Sequence, residues 1–221
     1  VTWDWGYAWE TLPQLLDGLG VTVLATLAGT AIALVLGLLF TVMRRSSARW
    51  ISIPTEIFVE FIRSTPLLVQ LFVLFFVLPE AGIQLSAFMT GVIGLGLHYA
   101  TYTSEVYRSG IEGVPAGQWE AAKALNLPTR RVWTSVILPQ AVPPSIPALG
   151  NYAIAMFKET PQLTVITVME LLSVARQLGA ENYRYLEPVT IIGVLFLLLS
   201  LPTAWLVRRM ERRLVPAPRP V

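Results

Sequence analysis

The sequence predicts an all-α integral membrane protein with five transmembrane helices. Three observations lead there. Hydrophobic residues make up 54% of the 221 residues and charged residues 14%, where a soluble domain carries about 25% charge. Mean hydropathy is +0.61. Long apolar segments recur along the chain, and the arginines gather where alternate segments end.

The elements follow in order. Trp3, Trp5, Tyr7 and Trp9 suit a membrane–water boundary. Asp4, Glu10 and Asp17 are acidic and no Lys or Arg precedes Arg44, so the basic n-region of a cleavable signal peptide is not expected. Span one covers Leu19–Met43, near the length a tilted spanning helix needs, and ends at Arg44, Arg45 and Arg49. Span two covers Ile53–Leu78, interrupted by Arg63 and by Pro66, which kinks or breaks it. Span three covers Ala87–Tyr107; its Gly91, Gly94 and Gly96 allow close helix packing. Span four, Ala141–Phe157, is short. Span five, Pro188–Val207, ends at Arg208, Arg209, Arg212 and Arg213. The tail, Val215–Val221, with its alternating prolines, is expected to be disordered, leaving 1–214 as one domain.

Counting positive charge orients the chain with its N-terminus outside and its C-terminus in the cytoplasm. The inside then receives the Arg44–Arg49 group, a loop with Lys123, Arg130 and Arg131, and the Arg-rich C-terminal end. That loop contains a polar, helix-forming stretch, Gln118–Leu127. Pro115 suits the first turn of a helix. Asn126 can take the left-handed conformation that ends one, Leu127 can pack back, and Pro128 prevents continuation. Thr129 is expected to cap a second short helix, Arg130–Leu138, closed by Pro139, with Val132, Trp133, Val136 and Ile137 on one face. Ala116, Ala121, Ala122 and Ala124 would let a groove on another protein approach the backbone. An ordinary cytoplasmic loop accounts for the same residues.

Glu120-Ala121-Ala122, a residue at 126, and Leu138-Pro139 resemble the EAA loop of permease subunits in binding-protein-dependent ABC importers. Asn126 stands where that family usually has Gly, and Val136 where it has Ile. Phe61-Ile62-Arg63-Ser64-Thr65-Pro66-Leu67-Leu68-Val69-Gln70 is similar to the RGTPLLVQ segment of the polar amino-acid subfamily, with Ser64 for Gly. Tyr102–Ile111 resembles the segment leading into its EAA loop. Lys158-Glu159-Thr160-Pro161-Gln162-Leu163 sits where KETSL or KDTSL is usual; Pro161 and Gln162 depart from it. The resemblance covers nearly the whole chain. It implies a MetI-like, type I ABC importer transmembrane domain with a cytoplasmic coupling helix in a bacterial-type inner membrane. Gln118, Glu120, Ala121, Ala122 and Asn126 would then engage the ATPase. The implied partners are an ABC ATPase subunit that binds ATP and Mg, a second permease subunit, an external solute-binding protein and membrane lipid. The cargo would be a polar amino acid (His, Glu, Gln, Arg or opine type) or a compatible solute such as ectoine or hydroxyectoine.

Several polar residues are candidates for a substrate path. A short span followed by Lys158, Glu159, Thr160 and Gln162 has the pattern of a discontinuous helix at a midplane site; an external loop with a solvated charge pair is the alternative. On the first reading Thr160-Pro161 begins a half-helix, Gln162–Leu172, whose N-terminus receives a carboxylate. His98 with Tyr102 is the next candidate, against a buried, neutral, hydrogen-bonded histidine. Arg63 reads as an ion pair with Glu60 or Glu56, or as a gate. Arg176, Glu181 and Arg184 read as solvated surface or a contact for an external protein.

No phosphate-binding Gly-x-x-x-x-Gly-Lys-Ser/Thr loop, metal-ligand spacing or nucleophile motif occurs, and the cysteine count is zero. An ATPase, a metal enzyme or a thiol enzyme is therefore not expected, nor is a nucleic-acid partner. An integral-membrane enzyme and an uncoupled channel or structural subunit are the competing classes; the first lacks a catalytic cluster and the second has no use for a coupling loop.

Overall fold

A computed structural model describes residues 2–214, and within them every regular element is helical. The expected disorder of 215–221 lies outside the described residues. Helix α1 runs Trp5–Arg44, and the Asp4 carboxylate caps it by accepting from the Gly6 and Tyr7 N–H groups. Its buried positions are mostly small: Gly18, Ala25, Gly29, Ala33 and Gly37. Gly29, Ala33 and Gly37 let α4 (Ala87–Glu112) lie alongside at backbone distance, while Gly18 meets Leu171 and Val174 further along the chain. A Cβ on Gly37 would sit 2.0 Å from Thr103 Oγ1, and one on Gly96 would sit 2.5 Å from Ile32 Cγ2. Hydroxyls stitch the pair: Thr103 Oγ1 donates to the Ala33 carbonyl at 2.8 Å and Thr41 Oγ1 to the Ser104 carbonyl at 3.0 Å.

The second span is broken at Pro66, as expected. α2 (Arg49–Arg63) stops at Ser64, and the chain resumes as α3 (Leu67–Phe72), followed by a π-helical turn, Val73–Val77, and a 3₁₀ turn, Leu78–Ala81. The two halves meet at 105°. Pro66 drives the break: it holds an extended conformation, has no N–H to give, and keeps Thr65 from continuing a helix. α3 then runs antiparallel to α4, with Leu71 against Gly94.

Two expectations need correction. Thr129 makes no cap hydrogen bond; Pro128 takes the capping position of α6 (Thr129–Arg131). Nor does Pro139 close anything. A π-helical stretch, Val132–Ile137, feeds directly into α7 (Leu138–Glu159), and a 3₁₀ segment, Thr160–Ile166, extends it. Pro139 falls in the first turn of α7, where the wider π turn has already displaced the regular bonding. Span four is thus part of one long helical run rather than a short one.

Left-handed Thr167 ends that run. α8 (Leu171–Asn182) starts at a 50° angle to it, capped by the fully buried Glu170, which accepts from Leu172 N, Ser173 N and Thr164 Oγ1. α9 (Leu186–Leu214) completes the described chain. At its start the buried Glu187 binds Arg184 and the Asp4 N–H, and Arg184 also donates to the Thr2 carbonyl. Arg184 is therefore a tether for the N-terminal residues, and Glu181 is held by Gln177 on its own helix.

By length and composition, α1 and α9 are each able to cross a membrane, and up to four crossings result if each bent pair counts as one. α4 is not among them because it is central. Its Thr90, His98, Thr101, Thr103 and Ser104 are buried against protein, so it need not be apolar all round. The main core lies where α1, α3, α4, α7 and the 3₁₀ segment meet, around Leu71, Leu95, Met156, Leu163 and Ile166.

Candidate functional site

Two regions of the chain combine polar residues with defined geometry. The first is the turn after α5 (Ala116–Ala124), with Pro115 just before the helix rather than inside it. Asn126 has φ +51°. The Asn126 N–H donates to the Lys123 carbonyl at 3.0 Å and the Leu127 N–H to the Ala122 carbonyl at 3.1 Å. This is the paired bonding of a Schellman motif, which satisfies carbonyls a helix end leaves free. Beneath α5, Trp119 meets Trp133 edge-on at 5.5 Å, among Ile111, Val114, Ile137 and Ala141. Gln140 links back to Gln118 at 3.3 Å. Arg45, just past α1, lies 5.8 Å from the Trp133 ring, joining α1 to this pair of helices.

That packing sorts the expected contact residues. Gln118, Glu120, Ala121 and Asn126 face outward. Ala122 does not: it is 3% exposed and forms part of the inner face, so its small size serves packing beneath α5. Leu125, 71% exposed at the C-cap, joins the outer face instead. Its sequence neighbours gave no sign of this, because an apolar residue at a helix end reads first as core.

The second region lies where α3, α4 and α7 converge. Glu159 Oε2 accepts from the Tyr99 hydroxyl at 2.9 Å. Tyr102 lies between Tyr152 and His98, with ring centroids 5.5 and 5.3 Å away. His98 is 8% exposed, with Nδ1 3.1 Å from Gln70 Oε1. Gln70 Nε2 in turn donates to the Ile62 and Thr65 carbonyls at the break before α3. His98 is thus hydrogen-bonded and almost enclosed, while Tyr102, Tyr152 and Glu159 are half-buried.

Of the expected path residues, the structure joins Glu159, His98 and Tyr102. Lys158 points elsewhere, into a crevice beside Ile154, Pro161, Phe196 and Leu197, and no ion pair between Lys158 and Glu159 occurs among the described residues. Thr160 is fully buried and donates to the Phe157 carbonyl at 2.8 Å, continuing the helix instead of opening a new one. A carboxylate-binding helix N-terminus at Thr160 is therefore absent. Gln162 makes no described hydrogen bond with the cluster. Gln70, Tyr99 and Tyr152 belong to it and were not singled out from sequence. The signal was available: Tyr152 and Glu159 lie seven residues apart on one helix face, as do Tyr99 and Tyr102 three apart.

A third group of charges braces the end of the molecule nearer α5. Glu105 accepts from Arg44 at 2.5 Å and Arg108 at 2.7 Å and lies 3.4 Å from Arg63. Arg63 pairs with Glu60 at 2.9 Å, as expected, whereas Glu56 goes to Arg44 at 3.5 Å. The ends of α1 and α2 are so clamped to α4.

Comparison with known proteins places these features in context. Residues 29–216 match the family described as binding-protein-dependent transport system inner membrane component. A probable amino-acid ABC transporter permease, y4tG of Sinorhizobium fredii, is 46% identical across 95% of this chain and 93% of its own length. The arginine transport system permease ArtQ of Bacillus subtilis is 35% identical across 92% and 93%. The octopine transport system permease OccM of Rhizobium radiobacter is 31% identical across 98% and 92%. Among solved structures, a chain of an amino acid ABC transporter superposes with a TM-score of 0.91 at 34% identity, covering 97% of this chain and all of that one. A chain of the MetNI methionine transporter, at 19% identity and a TM-score of 0.72, shares the fold.

Proposed function

The chain belongs to the binding-protein-dependent transport inner-membrane family, and from that premise we propose that it is the permease subunit of an ATP-driven importer for a polar amino acid. The observation that carries this reading is α5: a short helix held off the bundle by Trp119 and Trp133, closed by Asn126, with Gln118, Glu120, Ala121 and Leu125 outward. A separate ATPase chain binds ATP and Mg and receives that face in a cleft. A second permease subunit and an external binding protein complete the complex. The N-terminus lies outside and the C-terminus in the cytoplasm, which puts α5 on the same side as ATP. Five crossings result if α1, the α3 run, α4, α7 and α9 each span, with α4 sheltered by its neighbours. Residues 1–214 act as a single transmembrane domain.

The cargo reading rests on Glu159, Tyr99, Tyr102, Tyr152 and His98. Tyr99 occupies one carboxylate oxygen of Glu159 and leaves the other able to receive an ammonium or guanidinium, with tyrosine faces beside it. The substrate's cationic group sits there. This replaces the expectation of a carboxylate at Thr160. The relatives' names, which include arginine and octopine permeases, support an amino acid or opine over ectoine. Reconstitution with its cognate ATPase and binding protein tests the reading. ATP-dependent uptake of a cationic amino acid, lost in Glu159→Gln at normal assembly, is the expected result. Unchanged uptake by Glu159→Gln would remove Glu159 from the path.

A further inference from the structure

We propose that α2 lies in the plane of the membrane at the cytoplasmic boundary and binds anionic phospholipid there. This goes beyond the transport reading and does not depend on which substrate is carried.

The geometry comes first. α3 and its continuation run antiparallel to α4, and α2 meets that run at 105°, so α2 crosses the bundle instead of following it. Its depth is set by its contacts. Arg63 reaches Glu105, Glu56 reaches Arg44 at the end of α1, and Val59 packs on Phe40 and Ala100. Leu67–Ala81 rises only about 22 Å, against about 30 Å of hydrocarbon. A span that short brings α2 up into the boundary layer rather than leaving it below in water.

The faces of α2 fit that position. Val59, Thr55 and Ile62 are buried against the protein. Glu56, Glu60 and Arg63 share a polar side, where both carboxylates are paired with arginines. The remaining face carries Trp50, Ile53, Ile57 and Phe61 at helical spacing, with Trp50 78%, Ile57 65% and Phe61 63% exposed. A paired polar side and an uncovered apolar side are the division an interfacial helix requires. Charge decides the lipid. Arg49 opens α2 and makes no ion pair among the described residues, so with Trp50 it offers a phosphate-binding, boundary-seeking edge.

The chain has no cysteine, so single cysteines report cleanly. The assembled transporter is placed in nanodiscs with an environment-sensitive fluorophore on Ile57→Cys, and with Arg213→Cys as a reference beyond the apolar part of α9. Spin-labelled phosphatidylglycerol and phosphatidylcholine serve in turn as quenchers. Both lipids are expected to quench at position 57 and less at 213, with phosphatidylglycerol favoured by up to about five-fold per arginine. Arg49→Gln should reduce that preference while leaving quenching by phosphatidylcholine intact. Absence of quenching at 57, or cross-linking of that position to the second permease, means the face is covered by protein and overturns the proposal. Equal quenching by the two lipids overturns it as well.

Discussion

Replacing Asn126 isolates one link between local backbone geometry and coupling. At φ +51° a β-branched side chain meets the preceding carbonyl, a strain of about 1–2 kcal/mol that Asn escapes in part through its short polar side chain. Asn126→Val has two ways to respond. It can hold the turn and carry the strain, or let the turn open and lose the hydrogen bonds to Lys123 and Ala122, worth about 0.5–1.5 kcal/mol each. Either way the formed turn loses roughly 1–2 kcal/mol, a five- to thirty-fold shift in its population. Asn126→Gly adopts the same φ without strain and should stay within about two-fold of the parent. The assay is titration of the ATPase subunit onto the permease in nanodiscs, followed by ATP hydrolysis stimulated by the loaded binding protein. The valine variant should bind the ATPase more weakly, by a factor within that range, and the glycine variant normally. Equal affinities for the two would show that the left-handed turn has no part in docking.

Other substitutions test other links. Glu120→Lys, which reverses charge on the exposed face of α5, should leave assembly in the membrane intact and uncouple uptake from hydrolysis; normal uptake would place the ATPase contact elsewhere. Gly37→Ala inserts a methyl at 2.0 Å from Thr103 Oγ1 and should cost about 1–3 kcal/mol through overpacking, read as a lower midpoint in thermal unfolding of the purified complex. A midpoint unchanged within error would mean that α1 and α4 have more slack than their hydroxyl contacts indicate. Tyr99→Phe frees the second oxygen of Glu159 and should change substrate affinity without lowering expression; identical concentration dependence would argue against the Glu159–Tyr99 pair as a cargo contact.

The sequence was most legible where one property decides the outcome. Hydropathy located α1 and α9, because both must face an apolar surroundings along much of their length. Asn126 was legible because few residues tolerate positive φ, and Pro128 behind it removes the alternative. Arg63 was legible because a charge beside an apolar run needs a partner, and Glu60 stood one turn away. The misreadings, Pro139 and Ala122, share a different cause, and Pro66, which was read correctly, shows it by contrast. Pro66 and Pro139 are both helix breakers by composition, yet one bends the chain by 105° and the other sits inside a continuous run. Pro66 follows a residue it forces out of the helical region, with Gln70 and the Thr65 hydroxyl bonded to carbonyls at the break. Pro139 follows a π turn that has already shifted the bonding register. That difference lies in the partners available to the freed backbone groups, which local pattern does not reveal. Ala122 failed for a related reason: in EAA all three residues look alike as contact candidates, and only the Trp119–Trp133 packing decides which alanine turns inward.

The continuity of α6, the π turn, α7 and the 3₁₀ segment also changes how ATP-driven movement would reach the cargo. Three helices separated at Pro139 and again at Thr160 would let α5 shift with little consequence for Glu159. One run from Thr129 to Ile166 does not. Its lower end is packed to α5 through Trp133, and Glu159 near its far end is bonded to Tyr99 on α4. Movement of α5 is therefore carried along the helix unless the helix bends. Pro143, Pro144 and Pro147 mark where it can, since each removes a backbone hydrogen bond. α4 is meanwhile clamped at Glu105 to Arg44 of α1 and Arg63 of α2. With α4 held and α7 displaced, one contact under load is the hydrogen bond between Tyr99 and Glu159. On the proposed cargo reading, motion imposed at α5 would then open or close the carboxylate proposed to receive the cargo's positive group.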